Sequence, residues 1–566
     1  MISPDNFTDP FEIGSIFAKT GASWIQNPES LARMLDQLSG RIQKTLSDNL
    51  EPFFSKSLSA DKIPEYDEAA LLDAVKTVSA SARKLHLIYN RWMKEFIDNT
   101  PDLKPDEKER CAFWISQLIY SMAPSNYFWT NPAAVKKSID TKGKSLAQGI
   151  ETWIEDLKRG DGLLKLSDEN AFSVGKNIAQ TKGAVVFRNE LMELIQYEPV
   201  KKKTWAVPVV FIQPWINKFY IFDLSEQNSF VRYLLNQGFS VFITSWKNPG
   251  HDMRNTTFED YMFKGALTAV EVANQICNTK KVHAAGYCVG ACALAALMAW
   301  LNRKYEDQDK IPVARWTTFA GLTDFSRQGD LSFFISEKSL PLIEASISVN
   351  GYLDKTSISL IFRLLQPNNL IWRYFVNNYL YGTPPPKSDF LFWNADSTRL
   401  PEAMCRFYLK SCYVKNQLAV KDSLTLNGYP IDLGSIKQPL YAVGAMKDHI
   451  SPWHGTFLSC NLSGGPVRYV LSNEGHITGF VNPPTKKAKG KYWAGTADNN
   501  LTGQDVDKPP DPDKWLSEQT LQRGSWWPDW VLWLTEDNQP DVKPPSIGSE
   551  KYPVIEKAPG KYVLES

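Results

Sequence analysis

Residues 181–566 predict an α/β fold, a mostly parallel sheet covered by helices on both faces, and residues 1–180 predict a mostly helical domain before it. Two observations carry this. Short apolar runs alternate with helical stretches after about residue 181, whereas the chain before it carries helical periodicity and few strand signals. A hydrophobic content of 43% with 22% charged residues over 566 positions supplies a sizeable core and excludes disorder of the whole chain.

In the first part, Ala69–Trp92, Glu107–Met122 and Asn131–Leu157 place apolar residues three and four apart, and Pro101, Pro105 and Pro124 break the pattern. This part reads as a packing or oligomerisation module. The strands of the second part are Ala206–Ile212, Phe239–Trp246, Lys281–Ala285, Trp316–Ala320, Pro439–Val443 and Val467–Leu471. Between several of them lie helical stretches at Asn228–Gln237, Phe258–Asn278 and Cys288–Tyr305, as a covered parallel sheet requires. The rhythm stops over about 325–425, an aromatic stretch containing Pro384-Pro385-Pro386, which reads as a cap inserted between two strands. Residues 483–515, rich in Lys, Pro, Gly and Asp, read as an exposed loop.

Several functional classes drop out. With 63 Lys+Arg against 62 Asp+Glu, the chain lacks the basic excess that nucleic-acid binding requires. Seven Cys without paired spacing suggest free thiols in a reducing compartment, and no Cys/His cluster reads as a metal site. Met1-Ile2-Ser3-Pro4-Asp5 does not begin a signal peptide, and the longest apolar run, Ala291–Leu301, is short of the roughly 18 residues that span a membrane. The expected location is the cytoplasm. The 19 Trp, 29 Phe and 22 Tyr suit a large core, or a surface for a greasy substrate, with the core favoured.

The chemistry lies at Lys281-Val282-His283-Ala284-Ala285-Gly286-Tyr287-Cys288-Val289-Gly290, where a strand enters G-x-C-x-G and a helix follows at once. This is a nucleophile elbow with Cys in the Ser position, and it specifies the α/β-hydrolase fold. The tight turn demands small neighbours, and the helix N-terminus favours a thiolate at Cys288. Such an elbow requires an acid and then a histidine, each after a later strand. Of His449, His454 and His476, the last follows the strand Val467–Leu471 through a short loop, and Asp448 follows Pro439–Val443 in the same way. Asp448 alone could cap a turn, and Cys288 alone could be a small core residue; their order and context argue for a triad. His449 reads as structural, His283 as a packed strand residue, Cys292 as core, and His86 as surface or core. Backbone N–H donors for an oxyanion are expected from Val289, after the nucleophile, and from the loop Trp215–Asn217, with Ile216 preferred.

Longer strings narrow this further. They are Gln213-Pro214-Trp215-Ile216-Asn217-Lys218-Phe219-Tyr220-Ile221-Phe222-Asp223-Leu224, Ser245-Trp246-Lys247-Asn248-Pro249, and Phe392-Trp393-Asn394-Ala395-Asp396-Ser397-Thr398. Asp448-His449-Ile450-Ser451-Pro452-Trp453, Gly475-His476-Ile477-Thr478-Gly479 and Gly524-Ser525-Trp526-Trp527-Pro528-Asp529-Trp530 complete the set. With the elbow, they resemble the class I, single-subunit polyhydroxyalkanoate synthases over roughly residues 60–535. The resemblance implies an acyltransferase that polymerises (R)-3-hydroxyacyl-CoA, 3-hydroxybutyryl-CoA above all, into polyester through a cysteine thioester. It implies no cofactor, since CoA leaves with the substrate. It also implies a homodimer in the cytoplasm at the polyester granule surface, where granule-associated proteins are possible partners. The chain departs from the family pattern at Ala291, Thr478 and Gln213, where Gly, Ala and Pro are more usual, and Thr478 bears on pocket shape. The rival reading is an intracellular polyester depolymerase or thioesterase on the same fold. A non-catalytic granule coat would have no use for the triad.

Overall fold

The computed structural model describes residues 8–49, 68–485, 490–497, 510–535 and 540–565. The Met1–Asp5 start, and residues 486–489 and 498–509 of the predicted loop, lie outside them. The chain forms two compact units, Met1–Asp168 with Leu360–Lys387, and Glu169–Ser359 with Ser388–Ser566.

The first unit contains helices α1 (Ile13–Ile25), α2 (Pro28–Asn49), α3 (Glu68–Asp98), α4 (Pro105–Ser121), α5 (Pro132–Asp140) and α6 (Lys144–Arg159). Local chemistry sets their ends. Pro105 opens α4, and the Glu107 side chain accepts the Lys104 N–H at 3.0 Å, half of a capping box. Asn131 Oδ1 caps α5 by accepting the Ala134 N–H at 3.1 Å. The break at Thr141–Gly143, where Gly143 has φ 81°, divides what periodicity alone presents as one helix, Asn131–Leu157. Ile16, Ile97, Leu103 and Cys111 pack into one buried cluster, and Trp92, Met93 and Ile119 into another.

The inserted cap differs from its predicted extent. Within about 325–425, residues Leu360–Lys387 belong to the first unit and not to the catalytic one. Their attachments are polar and long-range: Tyr379 Oη donates to Asp156 Oδ2 at 2.7 Å, and Arg363 Nη1 donates to the Leu164 carbonyl at 2.8 Å. No local pattern in an aromatic stretch announces such partners.

The second unit is built on an 11-stranded sheet. Its strands are β1 (Gly183–Arg188), β2 (Met192–Tyr197), β3 (Val209–Ile212), β4 (Val241–Trp246), β5 (Val282–Tyr287), β6 (Val313–Phe319), β7 (Leu440–Ala445), β8 (Val467–Ser472), β9 (Lys491–Thr496), β10 (Gln522–Arg523) and β11 (Glu556–Lys557). The order is β10-β9-β8-β7-β6-β5-β3-β4-β2-β1-β11. β4, β3, β5, β6, β7 and β8 are mutually parallel, and the outer strands are antiparallel. Every predicted strand is present. β9 corrects the reading of 483–515 as loop throughout: Lys491–Thr496 pairs antiparallel with β8. Its polar ends hide it in the sequence, since it lies near the sheet edge.

Helix α7 (Phe230–Asn236), helix α8 (Thr268–Cys277) and helix α9 (Val289–Lys304) follow successive parallel strands. The whole run Ala291–Leu301 of α9 is buried, as an all-round apolar helix should be. The aromatic excess goes largely into the core. Trp526, Trp527 and Trp530 of the last quoted string are fully buried, and Trp527 stacks on Phe230 with centroids 4.2 Å apart. Trp530 Nε1 reaches Thr317 Oγ1 on β6 at 3.0 Å, so even its polar atom is satisfied. Among the described residues, no helix is long and apolar enough to cross a membrane.

Candidate active site

Cys288 stands between β5 and α9 with φ 52° and ψ −122°, a strained conformation for a residue with a side chain. Its N–H donates to the Phe319 carbonyl at 2.7 Å, which pins the turn to β6. The flanking glycines are required by contact. A Cβ on Gly286 would lie 2.5 Å from Ala291 Cα, and one on Gly290 would enter the Ile212 and Gln213 carbonyls at the end of β3. Ala291, one of the departures from the family pattern, is accommodated by Gly321, where a Cβ would come within 2.9 Å of the Ala291 methyl.

Asp448 and His476 leave the ends of β7 and β8 and meet. His476 Nδ1 lies 2.7 Å from Asp448 Oδ2. The other carboxylate oxygen accepts the N–H groups of Ile450 and Ser451 at 2.9 and 2.8 Å. Asp448 thus caps its own turn with one oxygen and contacts the histidine with the other. Burial works against a charge on His476. The Asp448 carboxylate, by attraction and hydrogen bond, and a hydrogen bond with Cys288 outweigh it and raise the imidazole to about 10. The structure therefore joins His476 to Asp448 and places Cys288 within electrostatic reach of the imidazole.

Tyr287, which the sequence analysis did not single out, braces this pair. Its hydroxyl donates to the His476 carbonyl at 2.9 Å, and its ring lies against the imidazole with centroids 5.7 Å apart. Its position beside the nucleophile was visible, but nothing local announces that it reaches across to the histidine loop. Tyr408 and Tyr413, from the second half of the insertion, lie within electrostatic reach of Cys288, and both rings pack against Phe325. Cys288 itself is only 8% exposed.

Val289 opens α9, so its N–H has no acceptor within the helix. Ile216 lies in the loop after β3, next to the strand end on which Gly290 packs. The remaining candidates do not pair with Asp448 or His476 by a hydrogen bond among the described residues. His283 is buried in β5 and lowered to about 3 by burial and by Arg315. Burial lowers His449 to about 4. His454 faces Asp513 at 3.2 Å. His86 sits on α3, where burial lowers it. Cys292 is fully buried, and a hydrogen bond with Cys412 together with burial raises its thiol far above the ordinary range. Thr478 is exposed and Gln213 is fully buried. Among the described residues, no group of His, Cys, Asp or Glu could hold a metal ion.

Residues 74–234 match the family model described as poly-beta-hydroxybutyrate polymerase N-terminus, and residues 207–483 match that of the alpha/beta hydrolase fold. The chain is 38% identical to the poly(3-hydroxyalkanoate) polymerase subunit of Cupriavidus necator, over 85% of this chain and 80% of that protein. It is 37% identical to the poly(3-hydroxyalkanoate) polymerase of Methylorubrum extorquens, over 85% and 77%. Against the polymerase subunit of Rhizobium meliloti the identity is 32%, over 99% and 90%.

Proposed function

The chain belongs to the poly(3-hydroxyalkanoate) polymerase family, acyltransferases on an α/β-hydrolase fold, and on that premise we propose that Cys288, His476 and Asp448 carry out its chemistry. The observation that carries this reading is the 2.7 Å contact of His476 Nδ1 with Asp448 Oδ2, with Cys288 on its strained turn within electrostatic reach of the imidazole. The substrate is an (R)-3-hydroxyacyl-CoA, with 3-hydroxybutyryl-CoA preferred, and no cofactor is used.

A charged His476 favours the thiolate of Cys288. The sulfur attacks the thioester carbonyl, and the N–H groups of Val289 and Ile216 receive the oxyanion. CoA leaves as its thiol, taking the proton from His476. The free energy changes little, because one thioester replaces another. Neutral His476 then takes the proton of the 3-hydroxyl of a second hydroxyacyl-CoA as that oxygen attacks the acyl-enzyme. Cys288 leaves as thiolate opposite a recharged His476. The product, one unit longer and still a CoA thioester, acylates Cys288 again. Asp448 orients the imidazole and stabilises its charged form. Phe325, Tyr408 and Tyr413 shelter the acyl-enzyme from water, which would end chains early.

The protein works in the cytoplasm at the surface of the polyester granule, as a homodimer, with other granule-associated proteins as possible partners. An apolar stripe on α6 supports contact with such a surface: Ile150, Trp153, Ile154 and Leu157 stand on one helix face and are all exposed. The test is purified protein with 3-hydroxybutyryl-CoA. CoA release matched by polymer is expected; CoA release matched by free 3-hydroxy acid would make the protein a thioesterase. Cys288→Ala should release no CoA.

A further inference from the structure

The string Phe392–Thr398 belongs to none of the catalytic elements, yet it is tied to the loop that follows β3. Trp393 Nε1 donates to the Lys218 carbonyl at 2.7 Å. Asp396 accepts the Tyr220 hydroxyl at 2.7 Å and faces Lys218 Nζ at 3.4 Å. Asn217 and Ser397 form an antiparallel bridge. Thr398, 2% exposed, closes the strap: its N–H donates to the Ile216 carbonyl at 3.1 Å, and its Oγ1 donates to the Trp215 carbonyl at 2.5 Å.

That last bond has a consequence for catalysis. The Trp215 carbonyl and the Ile216 N–H are the two ends of one peptide group. In a trans peptide they point in opposite directions and turn together about the chain. A hydroxyl that holds the carbonyl therefore fixes the direction of the N–H. It also polarises the group, because a peptide that accepts a hydrogen bond donates a stronger one. The loop is anchored at its start by Gln213, whose N–H donates to Thr244 Oγ1 at 3.0 Å and whose carbonyl accepts Trp246 Nε1 at 2.8 Å, but Pro214 has no N–H to carry the anchoring on to Trp215.

We propose that Thr398 is the positioning residue of the oxyanion site: through Oγ1 it aims and strengthens the Ile216 N–H toward the carbonyl oxygen attacked by Cys288. The inference rests on the triad reading above and adds to it a role for the Phe392–Thr398 string. In this role Thr398 acts through the Trp215–Ile216 peptide.

The test compares Thr398→Val, which keeps the shape and removes the hydroxyl, with Thr398→Ser, which keeps the hydroxyl and removes the methyl. Two rates are read on each, CoA release from 3-hydroxybutyryl-CoA and alkylation of Cys288 by iodoacetamide. Alkylation needs the thiolate but builds no oxyanion. Losing a whole oxyanion donor costs about 10²–10³ in kcat. Misaiming one should lower kcat about 10- to 100-fold in Thr398→Val, with KM and the alkylation rate within about threefold of the parent. Thr398→Ser should recover most of the kcat, and Thr398→Ala gives the same comparison if the valine variant does not fold. An unchanged kcat in the hydroxyl-less variants would overturn the proposal. So would a fall in alkylation equal to the fall in kcat, or a serine variant as slow as the valine one. If instead the parent's CoA release survived Cys288→Ala, the triad reading would fail first, independently of Thr398.

Discussion

The nucleophile elbow and the Phe392–Thr398 strap both hold backbone in place beside the same site, and they do it by opposite means. At the elbow, side chains are missing: Gly286 and Gly290 let α9 and the end of β3 close to distances that no Cβ tolerates. At the strap, side chains supply the grip, from Trp393, Asp396 and Thr398 to backbone and polar groups of the loop after β3. The elbow is specified within five residues, whereas Thr398 is 183 residues from the carbonyl it holds. Contact built by absence is all or none, because backbone cannot yield. Contact built by hydrogen bonds is graded, because each bond contributes about 1 kcal/mol net and can be removed singly.

The comparison is tested most severely at the elbow. Cys288→Ala should remove activity altogether. Gly290→Ala should also cost more than about 100-fold, although it changes no reacting atom, since its Cβ would enter the Ile212 and Gln213 carbonyls. CoA release and thermal unfolding measured on the same preparations check this. A Gly290→Ala protein with parent-like activity would show that the elbow relaxes, and the contrast with the strap would be lost.

Next in size is the pair behind the nucleophile. His476→Ala should lose both acylation and elongation, because one imidazole serves both. Asp448→Asn should retain slow acylation, since a thiol depends less on full activation than a hydroxyl does. An initial CoA burst in His476→Ala as large as the parent's would contradict this. The raised imidazole adds a pH dependence with a definite sign. A histidine lifted from 6.5 to about 10 on folding stabilises the protein fully below the lower value, and that contribution fades as pH rises through the upper one. Stability should therefore fall over this window in the parent and much less in His476→Gln, as read by denaturant melts. In His476→Ala, alkylation of Cys288 at neutral pH should be slower than in the parent, because the sulfur loses its charged partner.

The difference between elbow and strap also explains what the sequence made legible. The central parallel strands are largely apolar, and three of them, β5, β7 and β8, lead into Cys288, Asp448 and His476, so the fold and the chain order of these three residues could be read from order and spacing. β2 escaped because Glu193 and Gln196 interrupt its apolar pattern, although both are fully buried. Glu193 is held by Arg188 Nε at 2.7 Å and by the N–H groups of Lys561 and Tyr562, partners hundreds of residues away. The extent of the cap escaped for the same reason, since Leu360–Lys387 is tied to the helical unit by Tyr379 and Arg363. Tyr287 and Thr398 were present in quoted strings, but their roles depend on what they reach across the fold. Patterns of period and spacing report local structure; hydrogen bonds between distant loops leave no period.

The smallest expected effect belongs to Cys292, one helical turn beyond Cys288. A resolving or catalytic thiol would need access and a thiolate, and Cys292 has neither: it is fully buried, and its hydrogen bond with Cys412 raises its thiol far from reactivity. What Cys292 does supply is core volume on α9. Cys292→Ala should therefore cost about 1 kcal/mol of stability, as small core truncations do, and keep activity within about threefold. On the proposed reading the activity belongs to the residue at the elbow, and the turn beyond it belongs to the core. Denaturant midpoints and CoA release on Cys292→Ala and Cys412→Ala measure both sides of this division. If either variant lost activity in proportion to Cys288→Ala while its midpoint stayed put, α9 would carry chemistry beyond its first residue, and the sharp boundary between the all-or-none elbow and its graded surroundings would have to be redrawn.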